Sequence, residues 1–410
     1  MIKKTQYLDP KSHNSQPGGQ TEFVIPVKAF REARLIDFGV QTYTSANSCG
    51  YAYNAGALSL IDTITVYSGS TEVAQCRGVA YLGAETQIMN SGAQNYSVGT
   101  SLYGSSLRYD PDVTIDGGVT APALGSASFT YLDLKRILPF FLGLDLDGYT
   151  AMSKAVKSGN RRRVRELIAQ SNVIPGDKLN LRIVIQYTTL PPDQLFVNAL
   201  STDTYTLSRP ILVVDEILGA APTDKFQMVY DTFDIENVTI PGAAAGTTTS
   251  VPSLRLQGAD GYFLKDISLI SARYPGNTLN TNFKGFASTA QKDEVMNLLV
   301  NSELVVPIDI DTPARKAMYL NYSNPMAMCP ILSNIFDHGG VPSLYTGTAE
   351  TQTKQFSYVT LDVEKKVFQM ALQYSRLAYD TYQAEPINMI ALYRIQNVLS
   401  YQNGSVAVSK

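Results

Sequence analysis

Two strongly apolar runs, one near the middle of the chain and one near its end, constrain the fold most. The first is Leu179–Tyr187 and the second is Ile387–Ile395, and both are rich in the aliphatic and β-branched residues that favour buried strands. Turn-forming residues lead into each run, Gly176–Asp177 into the first and Glu385–Pro386 into the second. Each run also follows a stretch with helical character. The two halves therefore share a layout, although not residue identities, and we predict two similar domains in tandem.

The pattern of short segments predicts β-sandwiches. The chain has 410 residues, more than one hydrophobic core usually supports, so two domains are expected. In Ile61–Tyr67 apolar and polar residues alternate over part of the run, and Ser68–Ser70 then forms a turn. Strands of this length at roughly 8–12-residue spacing are typical of sandwiches or barrels. The sequence thus predicts an all-β protein with minor helices.

The predicted domains meet at a seam between Gly176 and Glu216. Within it, Pro191–Asp193 and the polar segment Ser201–Thr204 separate two apolar strands. We predict a flexible N-terminal arm over residues 1–21, a first sandwich over 22–200, a second over 201–403 and a flexible tail over 404–410. The arm is predicted to be mobile because its polar, Pro- and Gly-containing sequence cannot form a core.

Several helices and loops are predicted around these strands. The helices are a short one capped by Thr130 whose length Pro139 limits, then Arg161–Ser171, a helix from Ser288 toward Leu299, and Asp362–Gln383. Residues 88–127 and 241–253 are rich in small and polar residues and are expected to form long loops.

Composition limits the classes of function. Charged residues make up 17% of the chain, against about 25% in an average protein, which suggests that other subunits cover part of the surface. The net charge of -3 implies no general attraction to nucleic acid or acidic membranes, and no sequence-specific nucleic-acid partner is expected. Three cysteines, Cys49, Cys76 and Cys329, fit neither a disulfide framework nor a zinc site. With no secretory leader at the N-terminus, we expect a protein made in the cell interior.

The sequence predicts no catalytic, cofactor or metal site. The two histidines are His13, in the predicted arm, and His338, in a Gly-rich turn, and neither accompanies a known catalytic motif. Gly143–Gly148 resembles part of a calcium loop but lacks the third acid. Asp309 and Asp311 would share one strand face, where two solvated acids are a better interpretation than a cation site.

One concentration of basic residues stands out. It comprises Lys154, Lys157, Arg161, Arg162, Arg163 and Arg165. A patch for nucleic acid or lipid headgroups is one interpretation. No aromatic residue interleaves with these cations, so base stacking has no support. We favour the interpretation that they form a solvated helix face that pairs with Glu166 and with neighbouring subunits.

In layout and length, the chain resembles the double jelly-roll major capsid proteins of tailless icosahedral double-stranded DNA viruses. Adenoviruses, membrane-containing phages, virophages and polinton-like viruses carry such proteins. The segments that carry the resemblance are Tyr131–Leu142, the strand Leu179–Tyr187 with Pro191–Pro192, and Ile387–Ile395. The resemblance covers about residues 22–400 and is one of architecture, without a diagnostic motif.

The resemblance implies two tandem jelly-roll β-sandwiches and a structural, non-enzymatic function. Three chains would form a pseudo-hexagonal homotrimeric capsomer that tiles the shell of the virion. Neighbouring capsomers, penton and minor capsid proteins would be its partners, and the chain ends would contact a neighbour or an internal membrane. Two alternatives stay open, a receptor- or glycan-binding spike protein and a glycosidase that uses two carboxylates.

Overall fold

The computed structural model describes residues 2–44, 50–51, 56–79, 130–158, 160–169, 173–197, 199–219, 225–242, 247–272, 295–309, 358–377 and 387–409. The strands are β1 Ile2–Leu8, β2 Ser12–His13, β3 Gln20–Val24, β4 Phe30–Phe38, β5 Val40–Thr44, β6 Gly50–Tyr51, β7 Ile61–Ser68, β8 Thr71–Arg77, β9 Thr130–Asp133, β10 Leu181–Tyr187, β11 Phe196–Val197, β12 Thr204–Leu207, β13 Ile211–Leu218, β14 Lys225–Ile240, β15 Thr248–Leu256, β16 Phe263–Ala272, β17 Val295–Val300, β18 Glu303–Asp309, β19 Tyr358–Lys366, β20 Met370–Leu377, β21 Ile387–Gln402 and β22 Ser405–Ser409. The α-helices are α1 Leu134–Ile137, α2 Leu146–Lys157, α3 Arg161–Ala169, α4 Gly176–Leu179 and α5 Pro192–Leu195, and Gly56–Leu60 and Pro139–Leu142 form 3-10 turns.

The first sandwich packs a four-stranded sheet, in the order β1-β13-β4-β9, against the end of a long sheet that contains β8, β7, β10, β3 and β2. Strand β10 shows why this sequence forms a sandwich. Its residues Leu181, Ile183, Ile185 and Tyr187 are buried in the core, and the residues between them are only half buried. A period of two places every second side chain on the same face of a strand, so one face of β10 builds the core.

The second sandwich repeats this arrangement with a second core. Its own sheet has the order β15-β20-β17-β18, and it faces the other end of the long sheet, where the order is β19-β16-β21-β14. Leu298 and Leu372 from the short sheet belong to the same buried cluster as Leu264 and Ile267 from the long sheet. The prediction of an all-β protein with minor helices, made of two sandwiches, is confirmed.

Strands β14 and β21 join the two halves. Each has 16 residues, and they pair antiparallel along their whole length, from Lys225–Gln402 to Ile240–Ile387. Both strands contribute to both cores, with Tyr230 and Leu399 in the first and Val238 and Met389 in the second. A single parallel pair, Phe233 with Cys76, connects β14 to β8 and makes one continuous sheet.

The seam predicted between residues 176 and 216 therefore lies inside the first sandwich. Strand β13 pairs with β1 and β4, and β12 pairs with β5, so both belong with the first half of the chain. The prolines and polar residues mark breaks between strands, where α5 and the turn at 201–202 lie, but they do not show which strands pair.

The predicted mobile N-terminal arm is instead folded. All seven residues of β1 pair with β13, and Thr5 and Gln6 add side-chain hydrogen bonds to Asp215 and Glu216. Strands β2 and β3 then form a hairpin that pairs with β10. The sequence of β1 builds no core, which misled the prediction, because an edge strand is held mainly by its backbone hydrogen bonds.

The predicted flexible tail is also a strand. Asn403 and Gly404 both have positive φ angles, 50° and 85°, and turn the chain so that β22 pairs with β21. An Asn-Gly pair between strands is a strong hairpin signal, because a type I′ turn requires positive φ at both positions.

The helix predictions are partly right. The helix predicted from Arg161 is α3, whereas Thr130 lies in β9 and Asp133 caps α1 by accepting from the backbone N–H of Lys135. The helix predicted from Asp362 is wrong. Residues 362–377 lie in β19, β20 and the turn between them, and residues 378–383 of the prediction lie outside the described part of the chain. Leu361 and Val363 are buried and Asp362 is exposed, which is the period of two of a strand.

Other predicted elements fall wholly or partly outside the described residues. The helix predicted from Ser288 lies outside them up to residue 294, and β17 replaces it from Val295. The loop predicted over 88–127 lies outside them altogether, and that over 241–253 already belongs to β15 from Thr248.

Candidate functional site

A buried charge cluster lies close to the point where β14 and β21 pass from one core to the other. On β21, the guanidinium of Arg394 donates through Nε to Oδ2 of Asp231 at 2.6 Å and through Nη1 to Oδ2 of Asp266 at 3.2 Å. Asp231 lies on β14 and Asp266 on β16, and all three residues are at most 5% exposed. One cation therefore ties three neighbouring strands of the long sheet together.

A helix joins this cluster from the other side. Tyr149, in α2, donates its hydroxyl to Oδ1 of Asp231. Around it, the apolar faces of α2 and α3 pack on β14 in a small third core made of Leu142, Leu144, Tyr149, Met152, Ala155, Val164, Leu167 and Val229. A backbone hydrogen bond from Val229 to Leu144 adds to this contact. The helices of the first half are thus fixed to a strand that begins the second.

The guanidinium of Arg394 stays charged at neutral pH. Burial opposes the charge of Arg394, but attraction to Asp231 and Asp266 outweighs it and raises the pKa of the guanidinium. Burial, followed by the charge of Asp231, raises the pKa of Tyr149 well above its usual value, so its phenol keeps its proton. Both raised pKa values move Arg394 and Tyr149 further from pH 7, which indicates a structural function for them rather than acid–base chemistry.

A second ion pair lies beside the cluster. Lys265, on β16, places Nζ 3.0 Å from Oε1 of Glu364 on β19 and 5.4 Å from the centre of the Tyr149 ring. An ammonium group at that distance is attracted to the aromatic face. Helix α2 is thereby linked to β14, β16, β19 and β21.

The cavity at this cluster is too small for a substrate. It has a volume of about 20 Å³ and is lined by Tyr149, Asp231, Arg394 and apolar residues of the third core. Such a volume holds about one water molecule, whereas small-molecule sites measure roughly 300–1,000 Å³.

The structure places the six predicted basic residues on one helical hairpin. Lys154 and Lys157 lie in the C-terminal half of α2, and Arg161, Arg162, Arg163 and Arg165 lie in α3. The side chains of Lys154, Arg162 and Arg163 are exposed. Those of Lys157, Arg161 and Arg165 lie outside the described part of the structure. The hairpin thus gathers on one element the residues that the sequence singled out.

Glu166 pairs with two of these arginines. Its Oε1 lies 3.1 Å from Nε of Arg162, and its Oε2 lies 3.3 Å from Nη1 of Arg163. Hydrogen bonds from Arg163 and then Arg162 hold the pKa of Glu166 below its usual value. The predicted pairing with Glu166 is confirmed, and one carboxylate serves two cations.

Comparison with solved structures decides the fold. A chain in the cryo-EM structure of the Sputnik virophage superposes with a TM-score of 0.59 at 12% identity, over 99% of this chain and 88% of that chain. The mavirus major capsid protein gives 0.53 at 9% identity, over 99% and 90%. The Faustovirus major capsid protein gives 0.53 at 8% identity, over 97% and 90%.

The chain has the double jelly-roll fold. The two sandwiches described above are its two jelly rolls, and the resemblance drawn from the sequence is confirmed at the level of the fold. No protein-family model and no curated protein sequence matches the chain. The relationship is therefore visible in the structure and not in the sequence.

The other sequence candidates in the double jelly roll have structural roles or fall outside the described residues. His13 does not lie in a mobile arm, and its Nδ1 is 2.7 Å from Oγ1 of Thr21, which is itself 2.6 Å from the hydroxyl of Tyr187. Oδ1 of Asp145, in the calcium-like stretch, accepts a hydrogen bond from the backbone N–H of Gly148.

The remaining candidates give no site. Asp309 ends β18, and its predicted companion Asp311 lies outside the described residues, as do His338, Cys49 and Cys329. Cys76 is a buried free thiol. Within the described ranges, no group of three or more potential ligands could hold a metal ion, and no helix is long and apolar enough to cross a membrane.

Sequence reasoning missed the buried charge cluster. Asp266 and Arg394 each interrupt a predicted apolar strand, which is a signal, because a charge inside such a run must find a partner when it is buried. The partners are 128 and 163 positions apart in the chain, so a single sequence could not pair them.

Proposed function

We propose that this chain is the major capsid protein of a tailless icosahedral double-stranded DNA virus. Three copies form a pseudo-hexagonal capsomer, and capsomers tile the shell of the virion. The observation that carries the proposal is the whole-chain likeness to two major capsid proteins, which covers both jelly rolls and 90% of each of those chains.

The internal architecture supports this proposal. The buried charge cluster of Arg394 and its two aspartates, together with the strands shared by both cores, joins the two jelly rolls into one unit. Such a pair of similar sandwiches gives each subunit two of the six lobes of a pseudo-hexagonal trimer. The boundary between the jelly rolls in this proposal lies between β13 and β14, because β13 completes the first sandwich.

Assembly is then the activity of the protein. Closed threefold symmetry limits the first association to a trimer, and obligate interfaces of that kind bury thousands of square ångströms. Weaker contacts between trimers build the shell. The proposed partners are neighbouring capsomers, penton and minor capsid proteins, with no enzymatic step. The low share of charged residues, 17%, agrees with extensive subunit contacts.

The predicted contact of the chain ends with an internal membrane remains part of the proposal in a restricted form. Both ends lie in paired strands, β1 and β22, so such a contact would use strand surfaces rather than free arms. Synthesis in the interior of the host cell, without secretion, is likewise proposed.

The native mass of the purified protein tests the proposal. Light scattering is expected to give a mass near three times 44.8 kDa, and negative-stain images of the same peak are expected to show a hexagonal outline. A protein that stays monomeric at high concentration would contradict it. Saturable glycan binding, or hydrolysis abolished by changing one carboxylate, would support the spike or glycosidase alternative instead.

A further inference from the structure

Charge is distributed unevenly between one helical hairpin and the rest of the chain. Between Lys154 and Glu166 lie six basic residues and one acidic residue, a net charge of +5. The remaining residues contain 27 of the 33 Lys and Arg and 35 of the 36 Asp and Glu, a net charge of -8. The hairpin is therefore opposite in sign to the rest of the molecule that carries it. Two copies of such a chain attract each other when the hairpin of one meets the remaining surface of the other.

The basic residues are unfavourable for their own helix. Asn160 caps α3, because its Oδ1 accepts from the backbone N–H of Arg163, so Arg162 and Arg163 occupy the first turn. That turn is the positive end of the helix dipole, where acidic residues stabilise and basic residues destabilise. The first turn of α3 contains no acid. The helix dipole therefore disfavours these arginines, and their shared ion pair with Glu166 offsets only part of that cost.

The anchored face of the hairpin leaves the basic face free to contact a partner. Val164 and Leu167 point into the third core and fix α3 against α2 and β14. Arg162 and Arg163 are exposed on the other side, and the two share the single carboxylate of Glu166. Such a shared carboxylate neutralises only part of their charge. The hairpin is thus a rigid, cationic surface rather than a flexible tail.

We infer that the α2–α3 hairpin is a contact surface that binds an acidic surface on a second copy of this chain. The inference rests on the proposed capsid function and names one of its subunit contacts. The charge segregation favours a second copy, since the complementary charge is present on the same molecule. Nucleic acid is less favoured because no aromatic residue lies between 154 and 166 to stack on bases. The surface should be sensitive to salt, as exposed ion pairs are.

Reversal of two charges tests the inference. Arg162→Glu combined with Arg163→Glu changes the exposed face. Acids in the first turn of α3 suit the helix dipole, whereas their repulsion from Glu166 opposes that gain. Circular dichroism and the melting temperature therefore check that the variant stays folded. The matched control is Lys28→Glu with Lys225→Glu, two exposed cations outside the hairpin and outside the terminal strands that change the net charge of the chain equally.

Association is measured by sedimentation velocity across a concentration series in low and high salt. Reversal at the hairpin is expected to weaken one association step, trimer formation or trimer–trimer contact, by at least about tenfold, since like charges across an interface repel strongly. The Lys28 and Lys225 control is expected to associate as the wild type does. Wild-type association should weaken between about 0.05 M and about 0.5 M NaCl, where screening becomes short-ranged.

Two results would overturn the inference. The first is a hairpin variant that associates like the wild type at every salt concentration, and normal trimers in that case would leave the proposed capsid function intact. The second is a hairpin variant that associates normally but has lost binding to an anionic partner of a different kind. The probes are a short DNA duplex and vesicles of phosphatidylcholine with about 30% phosphatidylserine, and binding to either would assign the surface to that partner. A wild-type chain that never leaves the monomeric state would instead contradict the proposed function.

Discussion

Arg394 has the most demanding environment among the residues described above. A buried guanidinium loses its hydration, and only paired carboxylates compensate for that loss. Asp231 and Asp266 supply that pairing, and Tyr149 donates to the remaining oxygen of Asp231. The opposite charges of the cluster compensate one another. Removing one member is therefore expected to lower the free energy of unfolding more than removing an ordinary contact does.

Replacing Arg394 by methionine should destabilise the protein strongly. The variant leaves two aspartates buried without their cation, which typically costs about 3–5 kcal/mol. The free energy of unfolding in urea measures this effect. Arg255→Met is the matched control, because Arg255 pairs with Asp260 at 3.0 Å with its own side chain 59% exposed, and such pairs contribute less than about 1 kcal/mol. Equal losses of stability in the two variants would show that the buried cluster contributes no more to stability than an exposed ion pair does.

Tyr205 offers the opposite case, a buried group that the fold does not satisfy. Its side chain packs edge-on against Phe196, with ring centres 5.1 Å apart, and its buried hydroxyl has no hydrogen-bond partner among the described residues. Tyr205→Phe should therefore raise the free energy of unfolding by about 1 kcal/mol, because it removes an unsatisfied polar group. A decrease would show that the hydroxyl has a partner.

The pH dependence gives a second measurement on Tyr205. Burial raises the pKa of this tyrosine from 10.0 to about 12, so the folded state favours the neutral phenol. Its contribution to stability is complete below pH 10 and is lost as the pH rises toward 12. Tyr205→Phe should make the fall in stability across that range less steep. Some fall should remain, because burial also raises the pKa of Tyr187 to about 12.

At the scale of elements, the terminal strands show how little apolar burial a strand needs when its backbone is paired. Tyr7 in β1 is 67% exposed, and β22 is at most half buried, yet both strands pair in register with a neighbour. Strands of this kind close the ends of sheets whose central members build the cores. They also cover backbone edges that would otherwise be open to other chains.

Hydrogen exchange distinguishes a paired β1 from a mobile arm. In an edge strand, amides that point toward the neighbouring strand are protected and the alternate amides face solvent. We expect every second amide of residues 2–8 to be protected from exchange, and this protection to be lost when β13 (residues 211–218) unfolds. Uniformly fast exchange over β1, with β13 protected, would restore the interpretation of a flexible arm. The β2–β3 hairpin serves as the internal control.

The sequence predicts individual elements better than their partners. The alternation in Ile61–Tyr67 and the apolar run ending at Tyr187 predict β7 and β10, and the amphipathic run from Arg161 predicts α3. Residues 362–377 were mispredicted, since apolar residues three or four apart mimic a helix while the turn at Val367–Gln369 between two strands goes unseen. The basic hairpin is local in sequence and could be predicted. The buried cluster depends on long-range pairing and could not.

At the scale of the whole molecule, the two jelly rolls are not independent domains. β14 and β21 lie in the centre of the long sheet and supply residues to both cores. Cutting the chain between the sandwiches would remove Met228, Tyr230 and Leu399 from the first core. Removing a large side chain from a core lowers the free energy of unfolding by several kcal/mol. Neither half is therefore expected to be stable alone.

Calorimetry tests this coupling. We expect one unfolding transition for the full chain, because disruption of either core removes strands from the other. Fragments 1–219 and 225–410, made separately, are expected to lack a cooperative transition. Two well-separated transitions, or a cooperative fragment, would show that each jelly roll folds on its own.

The paired 16-residue strands β14 and β21 also limit how the molecule can bend. A chain with a hinge between its domains could adapt its own shape to different positions on a closed surface. Here β14 and β21 run from one core to the other through the region where a hinge would lie, and the Arg394 cluster and helix α2 brace them. In the shell proposed above, curvature would therefore come from tilting whole capsomers against one another, with the angle between facets set where their edges meet.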